Sequence, residues 1–379
     1  MKKALATILA LVMALSVTTM AWADDVAKID GTGYATLQEA VNAANNGQTI
    51  VLQSDVVLTA SLNVAVNKTV TLDLNSYKIT ADMNGPHMIC NAGNLTITDS
   101  SANKTGEIAK IGAETNFGYV IENHGTMTLD RCKISSTSVK SSAIENGWYT
   151  ASANTAGTSC TMTIQNAEVV SVNADGGLYT VKNDDYGVMV INGGVFTNSV
   201  AGAGAVLNWN DLTINGGTFT GASAVRTLKS GSSDFETGKS QIKNGTFNGG
   251  IDTLDGYKTG ITIAVTGGTF STDVTEYLAE GKILQKNGDT YTAVTNSGIT
   301  SGTYTSEPTV PSGYKATKND DGTWTVSKVS YYYYHPTTDT KTTDTKGSPK
   351  TFDAGIALYV GMALTSAAGV AFVGKKRED

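Results

Sequence analysis

The chain has 379 residues and a formal charge of −7, with 41 glycines, five prolines and three cysteines. Setting aside the two lysines of an expected leader and the three basic and three acidic residues of the extreme tail leaves 22 basic against 31 acidic residues, about −9. That balance speaks against nucleic acid or an anionic lipid surface as partner, and it offers no basic groove for a polyanionic sugar.

The first segment is a basic start, Met1-Lys2-Lys3, then an apolar stretch from Ala4 to Val17, then Ala21-Trp22-Ala23. These are the three parts of a secretory signal peptide, with cleavage expected after Ala23. The apolar stretch is about 14 residues, short of the roughly 20 that a transmembrane helix needs. Next comes Thr36-Leu37-Gln38-Glu39, a capping box in which Thr36 and Glu39 satisfy each other's backbone amides. It opens a helix over 37–44 with Leu37, Ala40, Val41 and Ala44 on one face. Asn45-Asn46-Gly47 stops it, Gly47 being suited to a left-handed cap. Such a helix can cover the first coil of a stack of strands, whose open end would otherwise pair with other chains.

From about Ile50 one pattern recurs. Its fullest form is Leu212-Thr213-Ile214-Asn215-Gly216-Gly217-Thr218-Phe219. Met189–Phe196, Ser240–Phe247 and Ile263–Phe270 are close copies, and Met127–Ile134 and Met162–Val169 are diverged ones. The third position falls at 72, 97, 129, 164, 191, 214, 242 and 265, steps that mark a solenoid of stacked units. Each copy reads as strand, tight turn, strand, with apolar residues inward, Thr outward, and Gly where the corner needs positive φ. A second short strand ends in Asn before several copies: Ile89-Cys90-Asn91, Ile121-Glu122-Asn123, Ile144-Glu145-Asn146, Val181-Lys182-Asn183 and Val206-Leu207-Asn208. Each coil therefore has about three strands and an Asn at one corner, with an inserted loop over 147–159. Cys90, Cys132 and Cys160 sit in or beside strands and read as small buried residues, and no Cys-x-x-Cys pair suggests a metal.

Past Phe270 the pattern changes to two degenerate β units that suit a C-terminal lid, with a hairpin turn at Asp320-Asp321-Gly322. Tyr331 to Tyr334 form a tyrosine run, and 335–350 is a Thr/Asp/Lys-rich linker unable to bury a core. Ser348-Pro349-Lys350-Thr351 precedes an apolar run over 354–373 and then Lys375-Lys376-Arg377. The run is long enough to span a bilayer, with the basic end cytoplasmic. The expected domains are a leader over 1–23, a solenoid with its cap over 24–274, the C-terminal β units over 275–334, the linker over 335–350 and an anchor over 351–379.

The tail resembles the cell-wall sorting signal of Gram-positive surface proteins. The resemblance implies sortase and peptidoglycan as partners, with Ser348, Pro349, Lys350 and Thr351 matching and Phe352 standing where that family has Gly. A plain single-pass anchor is the alternative, and both place the body outside the cell. The coil pattern resembles the pectate-lyase-like superfamily. It implies an all-β, right-handed parallel β-helix in which Asn91, Asn123, Asn146, Asn183 and Asn208 stack as an amide ladder.

Enzymes of that superfamily cleave acidic polysaccharides with carboxylates, calcium and a nearby basic residue. Here arginine before the anchor occurs only at Arg131 and Arg226, histidine only at His87, His124 and His335, and the Gly-His-Gly and Arg-Ile-Lys patterns of polygalacturonases do not occur. The remaining catalytic candidates are Asp184 and Asp185, with Asp175 nearby, as an acid pair or calcium site if a loop turns both to one side; the plainer reading is a solvated turn. His124 reads as a turn residue. Trp148, Tyr186 and Trp209 are candidates for stacking on sugar and could share one side, with Tyr149 and Tyr179 nearby. The expectation is a surface-displayed, non-catalytic adhesin or glycan-binding module for host or microbial glycans, with no cofactor and no resident metal. The alternative is a polysaccharide lyase or glycoside hydrolase.

Overall fold

The computed structural model describes residues 25–85, 87–112, 118–137, 142–148, 153–154, 157–172, 179–229 and 237–330. The described residues up to Val329 belong to one compact unit. The leader, Asp175, Tyr149, Tyr331 to Tyr334, His335, the linker, the sorting residues Ser348, Pro349, Lys350 and Thr351, Phe352 and the apolar run over 354–373 lie outside the described residues. Among those described, no helix is long and apolar enough to cross a membrane.

The body is nearly all β and consists of parallel strands stacked winding on winding, a β-solenoid. Each winding contributes to three sheets. In the first sheet Ile50, Leu72, Ile97, Leu129, Ile164, Ile191, Ile214, Ile242 and Val265 fall in one register column. All nine are buried, because alternate side chains of a strand point to one face. The second sheet runs from Val56-Val57 and Lys78–Ala81 to Thr269-Phe270. The third runs from Leu62–Val64 to the end of Thr246–Asp252. The inward faces of all three sheets merge into one apolar column along the axis.

The terminal Phe of the repeat explains the later windings. Phe196, Phe219, Phe247 and Phe270 stack with ring centroids 4.9, 5.0 and 4.9 Å apart and nearly parallel planes. That spacing is set by the interstrand distance, so a Phe repeated once per winding must stack. The corner before each Phe is made by the glycine two residues ahead of it. Gly194, Gly217, Gly245 and Gly268 have φ of +114, +112, +134 and +113°. A Cβ on Gly194 would lie 2.3 Å from the Ala167 carbonyl oxygen, so two independent reasons require glycine there. The diverged windings turn differently: Thr126–Ser136 and Cys160–Ser171 run through the corner as single strands, with register shifts between Leu129 and Cys132 and Arg131 at φ +54°.

The N-terminal end is closed by two devices. A helix, α1 (Leu37–Ala43), has the expected capping box, with the Glu39 amide donating to Thr36 Oγ1 and the Thr36 amide to Glu39 Oε2. Its C-terminus departs from expectation. Ala44 leaves the helix in an extended conformation, and Lys68 Nζ donates to the carbonyls of Asn42 and Ala44. Gly47 is left-handed (φ +89°) but sits three residues further on, in the turn. A cation at a helix C-terminus does what the glycine cap would have done. The Gln38 side chain reaches the edge strand of the third sheet. Its Nε2 donates to the Asn63 carbonyl and its Oε1 accepts from the Asn63 amide, replacing a neighbouring strand. The second device is an antiparallel hairpin, Ala27–Ile29 and Thr32–Tyr34, turning at Asp30-Gly31 and covering the edge strand Thr49–Leu52.

At the far end the chain switches to antiparallel pairing. Thr269-Phe270 pairs with Thr290–Thr295, Phe270 opposite Tyr291. The following strands form a meander with its own small core of Ile283, Ile299, Tyr304 and Val326. Val274, Leu284 and Ala293 join the solenoid core, so this unit is the lid on the last winding.

Candidate functional site

The site is built by the third sheet. Its strands are tripeptides in which the first and third residues point inward and the middle one outward. The third positions form the amide ladder. Asn91 Nδ2 donates to Asn123 Oδ1 at 2.7 Å, Asn123 to Asn146 at 2.7 Å, Asn146 to Asn183 at 2.8 Å and Asn183 to Asn208 at 2.8 Å. Each Nδ2 also donates to a carbonyl of the next winding, those of Thr126, Thr161, Val188, Asp211 and Lys239 in turn. The ladder begins above Val64 and ends on the hydroxyls of Ser240 and Thr227. All five asparagines are buried, so their amides must be satisfied within the fold, by the ladder and by backbone groups.

The same register forces the middle positions into an outward column. In order it reads Asn63, Cys90, Glu122, Glu145, Lys182, Leu207, Arg226 and Asp252. Adjacent members are one strand spacing apart, about 4.8 Å. From Asn123 onward, the residue after each ladder position, Thr227 included, forms a second column. The amides of His124, Gly147, Asp184, Trp209 and Leu228 each donate to the carbonyl of the preceding winding's asparagine.

Two chemical groups result. In the first, Glu122 Oε1 lies 3.3 Å from His87 Nε2 and 3.8 Å from His124 Nε2. His87 stacks on Tyr119 with centroids 5.1 Å apart, and His124 stacks on Trp148 at 3.7 Å. His87 Nδ1 accepts the Tyr119 amide proton at 3.1 Å, so the neutral ring carries its own proton on Nε2, aimed at Glu122. A protonated Nε2 cannot ligate a metal. Among the described residues no group of three His, Cys, Asp or Glu side chains is arranged to hold one. Burial raises the Glu122 pKa and lowers that of His124, so both are pushed toward their neutral forms.

The second group is buried. Lys182 Nζ lies 2.7 Å from Asp184 Oδ2, 3.6 Å from Glu145 Oε1 and 3.5 Å from the Tyr119 hydroxyl. Burial works against the Lys182 ammonium, but Asp184, Tyr119 and Glu145 outweigh it and hold its pKa above the ordinary lysine value. One ammonium cannot neutralise two buried carboxylates at once. Asp184 holds it at the shorter distance, and burial pushes Glu145 up to about 8. Glu145 is therefore an acid that keeps its proton near neutrality, next to a fixed positive charge.

The sequence-derived candidates are placed as follows. Asp184 and Asp185 do lie on a turn, closed by the Gly187 amide donating to the Asp184 carbonyl, with Tyr186 at φ +62°. The turn is not solvated: both aspartates are buried. Asp184 is committed to Lys182, which disfavours the calcium reading. Trp148, Tyr186 and Trp209 do follow the ladder on three consecutive windings, but their contacts differ. The Trp148 amide bonds the Asp185 carbonyl and its ring stacks on His124. Trp209 packs with Tyr179, Leu207 and Leu228 and meets Tyr257 edge-on at 6.2 Å. Beside it Arg226 forms two bonds to Asp252, at 2.5 and 3.1 Å, and lies over the Tyr179 ring. His124 is a corner residue, as its sequence suggests, and also a member of the first group. Cys132 and Cys160 are buried and Cys90 half-buried, all three as thiols. Burial raises Cys90 to about 11 and so makes it a poor nucleophile.

Glu122, Glu145, Lys182, Tyr119 and His87 were not candidates on sequence grounds. The signal existed in the ladder tripeptides: once the asparagines are taken to stack, their preceding residues must stack too, on the outside.

The class that fold and site define is a parallel β-solenoid with a mixed aromatic, imidazole and carboxyl face on one sheet. Compared with family models, curated protein sequences and solved structures, the chain matches none of them.

Proposed function

We propose that the chain is a surface-displayed, right-handed parallel β-helix of the pectate-lyase-like type whose third sheet binds glycan. The handedness follows the strong preference of parallel crossover connections. The observation that carries the reading is the clustering on consecutive windings of Trp148, His124, Glu122, His87 and Tyr119: flat rings beside hydrogen-bonding groups, the chemistry that recognises a pyranose. The expected leader and sorting-type tail support display at the cell surface, where sortase and peptidoglycan or the membrane would hold the chain. The test is a glycan array probed with the full exported chain. Binding is expected, and Trp148→Ala or Glu122→Gln should each weaken it about tenfold or more. An array with no positive spot would refute the reading.

A second reading, a polysaccharide lyase or glycoside hydrolase, is favoured by one observation: Glu145 and Asp184 share the Lys182 ammonium, at 3.6 and 2.7 Å, and burial raises the Glu145 pKa toward that of a general acid. Reducing-end release from a bound glycan, abolished in both Glu145→Gln and Asp184→Asn, would establish it.

A further inference from the structure

We infer that the glycan this face takes carries no anionic groups: it is a neutral or amine-bearing chain, not a uronic-acid or sulfated polymer. The inference rests on the glycan-binding reading and names its ligand class.

Three observations support it. First, both cations of the outward column are already engaged. Lys182 is held between Asp184 at 2.7 Å and Glu145 at 3.6 Å, and Arg226 is held twice by Asp252. A carboxylate or sulfate on a ligand would have to displace a carboxylate of the protein to reach either one. Such an exchange loses an existing charged hydrogen bond for each one gained.

Second, the groups left facing outward are acceptors or neutral. The Glu122 side chain retains 18% exposure between His87 and His124, at 30 and 22%. The His124 ring is held toward its neutral form by burial. In the column and its corner Asp184 and Asp252 offset Lys182 and Arg226, while burial pushes Glu122 and Glu145 toward their neutral forms, so no net positive field draws anions in.

Third, the fold leaves two complementary polar atoms here without a hydrogen-bond partner: the acceptor Glu145 Oε1 and the donor Trp148 Nε1. Glu145 is 1% exposed, and its Oε1 stands beyond hydrogen-bonding distance of Lys182. Unsatisfied buried polar atoms are uncommon and point to an unseen partner. A sugar hydroxyl donates and accepts at once, and so suits both atoms. A carboxylate or sulfate oxygen can only accept, so it could serve Trp148 Nε1 but not an acceptor oxygen of Glu145.

The experiment titrates the full exported chain with two families of oligosaccharides of equal length: neutral and amine-bearing (hexoses, N-acetylhexosamines, hexosamines) and anionic (galacturonate, sulfated hexosamine). The neutral or amine-bearing family should bind at least about tenfold more tightly. Equal or tighter binding of the anionic family would overturn the inference while leaving glycan binding intact. Silence from both would refute the glycan-binding reading itself. Asp252→Asn provides an internal check, since it releases Arg226. The variant should gain affinity for galacturonate oligomers by about threefold or more, with neutral binding unchanged. No gain in a folded variant would show that engagement of the cation is not what excludes anions.

Discussion

Asn146→Ala tests the ladder at its middle rung. In the parent, Asn146 Oδ1 accepts from Asn123 at 2.7 Å, and Asn146 Nδ2 donates to Asn183 Oδ1 at 2.8 Å and to the Val188 carbonyl at 3.3 Å. Truncation affects the two neighbours unequally. Asn123 Nδ2 keeps the carbonyls of Gly125 and Thr161, whereas Asn183 Oδ1 loses its ladder donor in a buried position. With about 1–3 kcal/mol for each buried polar group left unpaired and about 1 for a shared bond, the expected loss is about 2–5 kcal/mol. Asn91→Ala should cost less. Asn91 has Val64 below it, and the Asn123 oxygen it serves also accepts from the Gly125 amide. The polarity of the ladder gives a sharper control. Every Nδ2 donates toward the next winding, so Asn146→Asp would set a carboxylate oxygen against Asn183 Oδ1 and should be worse than alanine despite its near-identical shape. Urea unfolding followed by far-UV circular dichroism measures all three. Equal midpoints for Asn146→Ala and Asn91→Ala, or an Asn146→Asp variant as stable as the parent, would refute the reasoning.

Two further outcomes follow from the same structure. Glu145 has its pKa raised from 4.5 to about 8, so the folded chain holds a proton that the unfolded chain releases, and stability falls as pH rises across that interval. Glu145→Gln, neutral at every pH, should therefore gain relative to the parent between about pH 5 and 8, and parallel unfolding midpoints across that range would contradict the assignment. Gln38→Ala removes both side-chain bonds to Asn63 and bares the edge strand Leu62–Val64. It should cost about 1–2 kcal/mol and promote self-association, read by light scattering; a variant that associates no more than the parent and unfolds at the parent's midpoint would show that the rest of the cap suffices.

The helix start at Thr36 was legible because a capping box is a local interaction, complete within four residues. Its end was not, since the cation that terminates it, Lys68, belongs to the next winding. The Asp30-Gly31 hairpin was not anticipated, because its flanking strands are only three residues each, too short to display a period. The asparagine ladder was legible for a different reason. A residue repeated once per winding is brought into contact with its copies by the winding itself, so sequence periodicity becomes spatial adjacency.

Sequence alone therefore determined what repeats: the inward apolar columns, the Phe stack, the glycine corners and the five asparagines. Only the tertiary structure decided what does not repeat. Glu122, Glu145 and Lys182 are unrelated residues at one equivalent position, and no periodic signal links them to His87, Tyr119 or Asp184. Their charges acquire meaning only when strands about 4.8 Å apart press them together under cover. There one ammonium must serve two carboxylates, and the competition sets which of them keeps a proton.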